Sequence, residues 1–418
     1  MPCGGTESAV RVVLYTHHSL FEPALCLAAA LADLAEVHLL MEVPATDDQV
    51  AHFEVGGQTL SSGRVDADAL LAPFYSTEVR AMWRRTASFQ LVVTGAHRAR
   101  DPRSVQQLRE VVAWVGEIQA DVLHIDDVDV SSRLALALAL SRSPCPIVLG
   151  CHDPEPHSDE QHWRLKRLTR ALMLPRAAAY VVHHRAGLDA LRRYHPRLRR
   201  PIHVVRLGAY TFLSRQPTPD AEPNDRLVLL FGRMTKYKGL EALYRAAPLV
   251  ARAVPGVRFV VAGRPVSDYQ PPPAPGLEAG GRIETRFDYV GADEVASLFS
   301  AARVAVCPYT DASQSGVVLT AFAFGCPVVA TDVGGLPEYV RDGTSGLVVP
   351  ANDDKALADA LIRCLNEPDL VTRLRAGVAQ VVAGELSWER AASEVLDIYR
   401  GVVRTKRPGR FARVRRPG

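Results

Sequence analysis

Short apolar segments rich in β-branched residues alternate with Ala- and Leu-rich amphipathic segments along most of the 418-residue chain. Val10–Tyr15 predicts a strand, about Phe21–Ala35 predicts a helix, and Val37–Met41 predicts the next strand. Alternation of this kind builds a parallel sheet with helices on both faces. The pattern therefore predicts an α/β protein made of doubly wound sheets.

The alternation is interrupted at Ser214–Asp225, a segment with three prolines and no apolar periodicity. Such a segment is typical of a linker, and a second alternating series begins at Arg226. A chain of this length also exceeds what one core usually organises. We therefore predict an N-terminal domain over 9–212, a linker over 213–225, a second domain over 226–386, a C-terminal helix over 387–403 that packs back towards the first domain, and a disordered basic tail over 404–418.

Charge and cysteine usage narrow the functional classes. The formal net charge is only +3, which argues against a nucleic-acid-binding protein. From Arg404 onward the chain carries seven Arg and Lys residues without an acid, which keeps peripheral contact with an anionic membrane open. The seven cysteines form no CxxC pair. With no apolar span and no signal-peptide pattern at Met1–Ser8, we expect a cytoplasmic protein, with contact at the inner membrane face as an open alternative.

Two basic residues flank the loop that opens the second domain. A predicted strand, Leu229–Phe231, ends at Gly232, and the next helix begins near Gly239, so Arg233 and Lys238 can converge above the strand end. A fork-shaped guanidinium and a mobile ammonium suit a diphosphate, and they would neutralise the charge that grows as it leaves. The loop therefore predicts a diphosphate site, the alternative being two solvated surface cations.

A second loop leads from a predicted strand into a helix at Ser315, Gly316 and Val317. The first N–H groups of a helix have no partner inside the helix and attract anions. A glycine at position 316 permits close approach of a ligand. The segment predicts a second anion contact, the alternative being an ordinary capped helix.

The pattern G-R-x-x-x-x-K-G from Gly232 to Gly239 resembles the donor-site motif of the retaining family 4 glycosyltransferases, which have the GT-B fold. The resemblance implies two Rossmann-like domains that face each other across a crevice. It implies that Arg233 and Lys238 hold the diphosphate of a nucleotide sugar. This sugar is a co-substrate, so no separate cofactor is expected. The resemblance also implies retention of configuration at the anomeric carbon.

Residues 321–330 also resemble this family, through the pattern A-x-A-x-G-x-P-V-V-A. The family places a pair of glutamates in this region, but here Thr320 occupies the second glutamate position and Ala312 or Ser313 the first. We therefore expect a divergent branch that contacts its donor sugar through other residues of the loop. The predicted donor-binding residues are Gly232, Gln314, Ser315, Gly316, Val317 and Thr320.

The Gly334–Glu338 segment resembles the family's G-G-x-x-E turn. Glycines suit a tight turn, and an acid near a helix start is favourable there. We expect a structural role for Glu338.

The N-terminal half of the crevice begins at the predicted strand Ile147–Gly150, whose end brings His152 into the crevice. In the family a histidine at this place lies near the transferring sugar, and we assign that role to His152. The loop after the first strand carries paired histidines where the family commonly has glycines, which predicts unusual acceptor recognition. The predicted catalytic residues are His152, Arg233 and Lys238. The predicted acceptor contacts are His17, His18, Asp153, Glu155 and His157.

No metal site is predicted. His17 and His18 lack the i,i+4 spacing of helical metal ligands. Asp127 and Asp129 form the DxD pattern of metal-dependent transferases of another fold, but their place between a strand and a helix favours helix capping. Arg233 and Lys238 then carry out the electrostatic role of a metal.

These observations predict a metal-independent glycosyltransferase that moves a hexose-type sugar from a nucleotide diphosphate to a hydroxyl acceptor. The acceptor class stays open among glycans, lipid-linked acceptors and small molecules. Two other functions remain open. One is another GT-B reaction, such as nucleotide-sugar epimerisation. The other is a weakly active or non-catalytic module that binds polyanions or a membrane, with Val79–Arg85 as an additional interfacial patch.

Overall fold

A computed structural model describes residues 9–45, 53, 55, 58–94, 102–129, 132–154, 163–215, 223–266, 269–312 and 314–406. Within these ranges the chain forms two sheets, one on each side of residues 205–223. Every strand pair is parallel except one at an edge of the first sheet. The structure therefore has the two alternating halves that the sequence predicts.

The first sheet has eight strands in the order β3-β4-β2-β1-β5-β6-β7-β8, with β3 antiparallel to β4. Its strands are β1 (Arg11–His17), β2 (Glu36–Pro44), β3 (Gly63–Asp66), β4 (Ser88–Thr94), β5 (Val122–Ile125), β6 (Ile147–Cys151), β7 (Ala177–Val182) and β8 (Ile202–Val204). Its helices are α1 (Phe21–Leu31), α2 (Ala67–Leu71), α3 (Thr77–Trp83), α4 (Pro102–Glu117), α5 (Ser132–Leu140), α6 (Trp163–Met173) and α7 (Arg185–Tyr194).

Helices cover both faces of this sheet, which explains why its central strands read as continuous apolar runs. Side chains of α4, α5, α6 and α7 share one core with one face of the sheet. Side chains of α1 and α3 belong to the core on the other face. All residues of α1 are buried, because a later helix covers the side of α1 that faces away from the sheet.

The second sheet has six parallel strands in the order β11-β10-β9-β12-β13-β14. Its strands are β9 (Asn224–Phe231), β10 (Arg258–Ala262), β11 (Arg282–Arg286), β12 (Ala302–Cys307), β13 (Val328–Thr331) and β14 (Gly346–Val349). Its helices, and the helix that returns to the first domain, are α8 (Leu240–Ala253), α9 (Ala292–Ala301), α10 (Gly316–Ala323), α11 (Leu336–Tyr339), α12 (Asp354–Asn366), α13 (Pro368–Ala383) and α14 (Trp388–Lys406).

The last helix, α14, fixes the two domains to each other. Trp388 at its start donates a hydrogen bond of 2.7 Å to the carbonyl of Ala209 in the connecting segment. Along its length α14 packs against α1, and the Tyr399 hydroxyl lies 2.6 Å from Nδ1 of His124 on β5. The connecting segment passes close to the Trp388 ring at Gly208, where a Cβ would lie 2.7 Å from the ring.

Element ends differ from the prediction at both domain borders. β9 begins at Asn224, inside the predicted linker, and the Asn224 side chain accepts a hydrogen bond from the Arg226 amide. α14 continues to Lys406, past the predicted end at 403, because arginine and lysine are good helix formers and cations are favoured at a helix C-terminus. The remainder of the predicted basic tail, 407–418, lies outside the described residues. No helix in the described ranges combines the length and apolarity needed to cross a bilayer.

Candidate active site

The loop between β9 and α8 carries the two predicted diphosphate ligands. Lys238 ends a short 3-10 turn, and its Nζ donates to the Tyr309 hydroxyl at 2.7 Å and lies 4.3 Å from the centre of that ring. Tyr309 follows β12, so the contact ties the loop to the neighbouring strand end. Arg233, by contrast, is exposed. The ammonium is therefore held in place while the guanidinium is able to reach a ligand.

The electrostatics of this loop favour an anion. Burial lowers the pKa of Lys238 to about 8, and the nearby Arg233 guanidinium adds to that lowering. Neither cation forms an ion pair with a carboxylate of the described residues. Two adjacent positive charges without a counter-ion raise each other's energy, and a bound anion would relieve this cost.

Gly239 allows the loop to approach the neighbouring strand end. Its φ of +71° lies in the left-handed region, and a Cβ at this position would lie 1.8 Å from the carbonyl oxygen of Pro308. No side chain fits there without movement of the backbone. The glycine therefore brings Lys238 against the segment that carries Tyr309.

Substituting Gly239→Ala should lower the free energy of unfolding by about 3 kcal/mol, since it combines left-handed strain with a backbone clash. Gly256→Ala is the matched control: its φ is +75°, but nothing lies within 4 Å of the new Cβ. It should cost only about 1 kcal/mol. Urea denaturation of both full-length variants measures the difference. Equal destabilisation would show that the contact between Gly239 and Pro308 is not tight.

The second predicted segment meets the first. Ser315 precedes α10, and its hydroxyl lies 3.2 Å from the Tyr309 hydroxyl. A Cβ on Gly232 would lie 3.0 Å from Val317 and 3.7 Å from the Lys238 ammonium. The structure thus brings Gly232, Lys238, Ser315 and Val317 together. The N-terminus of α10 and the cationic loop form one anion-attracting wall.

The remaining predicted donor residues differ in whether their side-chain polar atoms already form hydrogen bonds. The side-chain oxygen of Gln314 is buried and has no hydrogen-bond partner among the described residues. The Thr320 hydroxyl is buried and donates to the carbonyl of Gly316 at 2.9 Å, inside α10. Gly316 faces the connecting segment, because a Cβ there would lie 3.1 Å from the Tyr210 ring. Gln314 therefore retains hydrogen-bonding capacity for a ligand, whereas the hydroxyl of Thr320 already donates within the helix.

His152 follows β6 directly and is 3% exposed. Its Nε2 lies 3.5 Å from Oδ1 of Asp126, and Oδ2 of Asp126 accepts a hydrogen bond of 2.9 Å from the Thr16 hydroxyl. Asp126 comes this close because Gly150 has no side chain: a Cβ there would lie 1.9 Å from the Asp126 carbonyl. Asp126 was not predicted from the sequence, although a glycine near the end of a buried strand indicates close backbone approach.

The charge of Asp126 determines the protonation state of His152. Burial by itself lowers the pKa of the imidazole, but the contact with Asp126 and the charges of Asp126, Asp127 and Asp153 outweigh burial and raise it to about 9. His152 is therefore an imidazolium at neutral pH. Its Nδ1 has no hydrogen-bond partner among the described residues, so it can donate a proton to a ligand oxygen.

A second histidine, His183 at the end of β7, lies against the first. The two ring centres are 4.2 Å apart, and Nδ1 of His183 donates to the Val205 carbonyl at 3.0 Å. Burial and the positive charge of His152 lower the pKa of His183 to about 3, so it stays neutral. His183 was not predicted from the sequence, since a lone histidine after a strand carries no specific signal.

The predicted acceptor residues lie along the first domain's strand ends. Nδ1 of His17 contacts the Ser19 hydroxyl at 2.9 Å, and burial followed by the His18 charge lowers the pKa of His17 to about 3. The His17 and His18 rings are 4.1 Å apart. His17 is therefore neutral, and His18 is buried beneath it.

Asp153 lies in the loop after His152, and Arg170 of α6 fixes that loop. The Arg170 guanidinium donates to the backbone carbonyls of Asp153 and Pro154, at 2.5 and 3.0 Å. Burial raises the pKa of Tyr237 in the second domain, and the Arg233 charge opposes this rise. The charge of Asp153 adds to the rise, so Asp153 lies near the second domain. Glu155 and His157, the other predicted acceptor contacts, lie outside the described residues.

The start of α5 adjoins residues outside the described ranges, so helix capping by the DxD pattern stays a prediction. Asp127 accepts a hydrogen bond of 3.2 Å from the Asp129 amide, and the Asp129 carboxylate binds Arg170 through two hydrogen bonds of 2.7 and 2.6 Å. The carboxylates close a turn and an ion pair, because Arg170 is buried and needs a counter-ion. No group of three or more potential metal ligands occurs among the described residues, and metal independence remains a prediction.

Glu338 has a structural role that connects the two domains. Its carboxylate accepts hydrogen bonds from the Arg185 amide at 2.8 and 3.0 Å and from the Ala186 amide at 3.3 Å, at the first turn of α7. The adjacent Tyr339 donates to the His183 carbonyl at 2.8 Å. An acid at a helix N-terminus is favourable, but this helix belongs to the other domain. The turn therefore ties the second domain to α7 and β7 of the first.

The acceptor side also contains a buried polar network that was not predicted from the sequence. Glu42 on β2 is 2% exposed and accepts from the Tyr15 hydroxyl at 2.5 Å and from Arg133 at 2.8 Å. Arg133 also donates to the Thr94 hydroxyl at 3.2 Å. The charge of Arg133 contributes to the low pKa of His17, after burial and His18. This arginine lies at the same strand ends as the predicted acceptor contacts.

Comparison with known proteins agrees with this architecture. A family model described as Glycosyltransferase Family 4 matches residues 24–211, and one described as Glycosyl transferases group 1 matches residues 225–367. The α-maltose-1-phosphate synthase of Mycolicibacterium smegmatis is 30% identical over 289 residues, which cover 62% of this chain and 73% of that protein. The D-inositol 3-phosphate glycosyltransferase of Saccharomonospora viridis is 38% identical over 188 residues, 43% of each chain. The match thus spans less than half the length of that relative.

Solved structures show the same fold at low identity. The sucrose-phosphate synthase of Thermosynechococcus elongatus superposes with a TM-score of 0.63 at 18% identity, covering 94% of this chain and 100% of that one. The Anabaena protein HepE, solved in complex with UDP and glucose, gives a TM-score of 0.63 at 15% identity with the same coverage. These matches confirm the predicted GT-B fold of two Rossmann-like domains. The chain belongs to glycosyltransferase family 4.

Proposed function

We propose that the protein transfers a sugar from a nucleoside-diphosphate sugar to a hydroxyl acceptor. The observation that carries the proposal is the pair Arg233 and Lys238, which have no carboxylate partner among the described residues and lie beside the N-terminus of α10. A diphosphate would satisfy both cations and the free helix amides together. As the sugar leaves, the negative charge that grows on the diphosphate would be stabilised by groups already in position.

Retention without a metal belongs to the same proposal. Two cations of the protein at the leaving group supply the charge that a divalent metal would otherwise provide. Attack on the face from which the diphosphate leaves lets a phosphate oxygen take the acceptor's proton, so no protein nucleophile is required. The imidazolium of His152 would donate a hydrogen bond to the sugar from the opposite wall of the crevice.

Donor recognition is proposed to depend on the loop before α10. Thr320 occupies a position where the family has a glutamate, and its hydroxyl is engaged inside the helix. The buried side-chain oxygen of Gln314, which has no partner among the described residues, is a polar atom with unused capacity in this loop. A sugar hydroxyl that donates to Gln314 would satisfy this buried oxygen and would replace a carboxylate contact.

The named relatives support a phosphorylated or polyhydroxylated acceptor, because their names refer to inositol phosphate and to maltose phosphate. Arg133 supplies a cation at the strand ends beside the predicted acceptor residues. A cytoplasmic setting suits the six described cysteines, which are all buried and free.

A thermal-shift series with UDP, GDP and ADP tests the proposal. At one hundred times its dissociation constant, the matching nucleotide should stabilise the native state by about 2.7 kcal/mol, a shift of roughly 3 °C. The shift should be the same with EDTA as with Mg²⁺, because the cations belong to the protein. If none of the nucleotides moves the melting temperature, the diphosphate site is refuted. A shift that needs Mg²⁺ would refute metal independence alone.

A further inference from the structure

A strongly basic segment lies at one end of the first domain. Residues 163–206 contain twelve Arg and Lys residues and a single acid, Asp189, in a chain whose formal net charge is only +3. The whole-chain total conceals this asymmetry, since acids elsewhere balance it. A local excess of this size attracts an anionic partner through the field of many charges rather than through one contact.

The fold places the two helices that carry most of these cations side by side. α6 and α7 cover the same face of the first sheet, because Met173 of α6 and Leu191 of α7 belong to one core. The two helices are also neighbours on this face, because α6 joins β6 to β7 and α7 joins β7 to β8, which are adjacent strands. The exposed side of α6 and α7 and the loop after them therefore form one continuous surface, which we call the α6–α7 surface.

Cations on the inner and outer sides of these helices have different partners. Arg170 and Lys166 face inward and lie 2.6 and 3.7 Å from the buried carboxylate of Asp129. Five outer cations are exposed and form no ion pair with a described carboxylate, and they end α7 or follow it closely: Arg192, Arg193, Arg197, Arg199 and Arg200. The inner pair stabilises the fold, whereas these five have no ion-pair partner in the described part of the chain.

Two large apolar side chains are exposed on these helices, one on α6 and one at the end of α7. Tyr194 is 46% exposed and Leu168 is 42% exposed, and both belong to the few large hydrophobic residues at the surface of the described chain. A tyrosine has an apolar ring and a polar tip, a combination favoured at the boundary between lipid headgroups and acyl chains. Arginines around such residues would contact lipid phosphates while the apolar groups enter the interface.

We propose that the α6–α7 surface binds the surface of an anionic lipid bilayer. The exposed arginines match the charge of the headgroups, and Leu168 and Tyr194 match the apolar layer beneath them. A nucleic acid fits less well, because it would leave Leu168 in contact with a polar backbone and offers it no apolar partner. The assignment does not depend on the donor site, so it extends the proposed function without resting on it.

Other basic segments offer less to a membrane. In α3, which the sequence predicts as an alternative interfacial patch, Val79, Met82 and Trp83 are buried. The two arginines after it pair with acids of the same domain, Arg84 with Asp68 and Arg85 with Asp33. Those cations are therefore paired, and the Trp83 ring is buried in the core. α3 thus lacks both the arginines unpaired in the described chain and the exposed apolar side chains of the α6–α7 surface.

Flotation of the full-length protein with vesicles tests the proposal. We expect binding to phosphatidylcholine vesicles that contain phosphatidylglycerol, little binding to phosphatidylcholine alone, and loss of binding at high salt. The variant Arg192→Glu/Arg193→Glu should bind at least about tenfold more weakly. The matched control reverses two exposed arginines of the second domain, Arg282→Glu/Arg373→Glu, and should bind like the wild type.

Two further variants decide which surface and which partner are involved. Leu168→Ser/Tyr194→Ser should weaken vesicle binding several-fold without changing binding to heparin, because only a bilayer offers an apolar layer. Truncation after Lys406 should leave vesicle binding intact. Equal vesicle binding by the wild type and the Arg192→Glu/Arg193→Glu variant, or loss on truncation alone, would overturn the assignment of the surface. Unchanged vesicle binding by the Leu168→Ser/Tyr194→Ser variant would overturn the lipid partner in favour of a soluble polyanion.

Nucleotide thermal shifts on the same variants keep the two proposals separate. Arg192 and Arg193 lie on the outer side of α7, so their reversal should leave the nucleotide-induced shift unchanged. A protein that binds vesicles but no nucleotide would refute the proposed function alone. One that binds nucleotide but no anionic vesicle would refute the lipid surface alone.

Discussion

Replacing Lys238 by methionine should reduce sugar transfer by about three orders of magnitude, because it removes a fixed cation from the leaving diphosphate. The wild-type ammonium is held by the Tyr309 hydroxyl at 2.7 Å and by the Tyr309 ring. Its position therefore does not have to be organised during the reaction. Methionine keeps much of the side-chain volume, so packing beside Gly232 should survive. Initial rates with saturating donor measure the effect on kcat.

The same loop contains a matched control. Lys236 lies two residues before Lys238, but it is exposed and does not contact Tyr309. Lys236→Met removes the same charge from the same segment, and it should change the rate less than about fivefold, as expected for a screened surface charge. Lys238→Arg should recover part of the lost activity, since it restores the charge in a different shape. Similar losses in Lys236→Met and Lys238→Met would show that the loop acts only through its net charge.

Binding and catalysis should separate in the Lys238→Met variant. Arg233 remains, so the nucleoside diphosphate should still bind, although with a smaller thermal shift. If Lys238→Met bound nucleotide as tightly as the wild type and turned over normally, the diphosphate role of Lys238 would be wrong. If it lost binding and turnover in equal proportion, the residue would stabilise the ground state as much as the transition state.

The fold was largely predictable because its strands and helices carry strong periodic patterns. Strands such as β1 are buried on both faces, and an apolar run bounded by polar residues records that directly. The short edge strand β3 was not predicted. Its residues are mostly exposed, so they carry little apolar pattern. α13 was also missed, since a glycine, Gly377, interrupts its helical pattern where a Cβ would lie 2.0 Å from the Thr344 carbonyl.

The candidate site was predictable only in part, and the reason is physical. Arg233 and Lys238 lie in one local loop, so their spacing can be recognised in the sequence. Tyr309, which holds Lys238, is 71 positions away, and the approach depends on the missing side chain of Gly239. The carboxylate of Glu338 likewise reaches α7 of the other domain, 153 positions away. The first contact depends on how neighbouring strand ends meet within one sheet, and the second depends on how the domains face each other; local periodicity encodes neither.

Charged surfaces, like the candidate site, can be predicted from the sequence only in part. The basic tail stands out in the sequence, because its cations are contiguous and contain no acid among them. The segment 163–206, which contains the α6–α7 surface, has more cations than the tail, twelve against seven. Apolar positions that enter the core separate these cations along the sequence. Only the structure shows that Lys166 and Arg170 are paired with Asp129, whereas the arginines at the end of α7 are exposed.

The Asp126→Asn variant should lose sugar transfer by about two orders of magnitude at pH 7, where His152 is charged in the wild type and Lys238 is still mostly charged. In the wild type His152 has a pKa of about 9, so it is an imidazolium at this pH. With a neutral amide at position 126, burial dominates, and the pKa of His152 should fall towards the low value of its neighbour His183, about 3. The amide oxygen introduced at position 126 can still accept the hydrogen bond from Thr16, so the local shape is kept.

Asp127→Asn is the matched control for this effect. Asp127 is the next residue and is also buried, but burial and then the Asp129 charge raise its pKa to about 7, so it contributes less negative charge. Its neutralisation should move the pKa of His152 only slightly. Both variants can be followed by NMR titration of the His152 ring. That readout reports protonation directly and does not depend on whether the protein transfers a sugar.

The pH dependence of stability follows from the directions in which the pKa values of His152 and Asp126 are shifted. His152 has a native pKa above its ordinary value of about 6.5, so the ion pair stabilises the native state fully below that pH and its contribution disappears as the pH rises through 9. Asp126 has a lowered pKa, since the contact with His152 and its charge outweigh burial, so its contribution is lost in acid. The stability difference between wild type and Asp126→Asn should therefore be largest near pH 6, decrease as the pH rises from about 6.5 to 9, and be small above pH 9. A difference that grows with rising pH would mean that His152 is neutral in the native state. Asp126 would then fix only the position of the ring, not its charge.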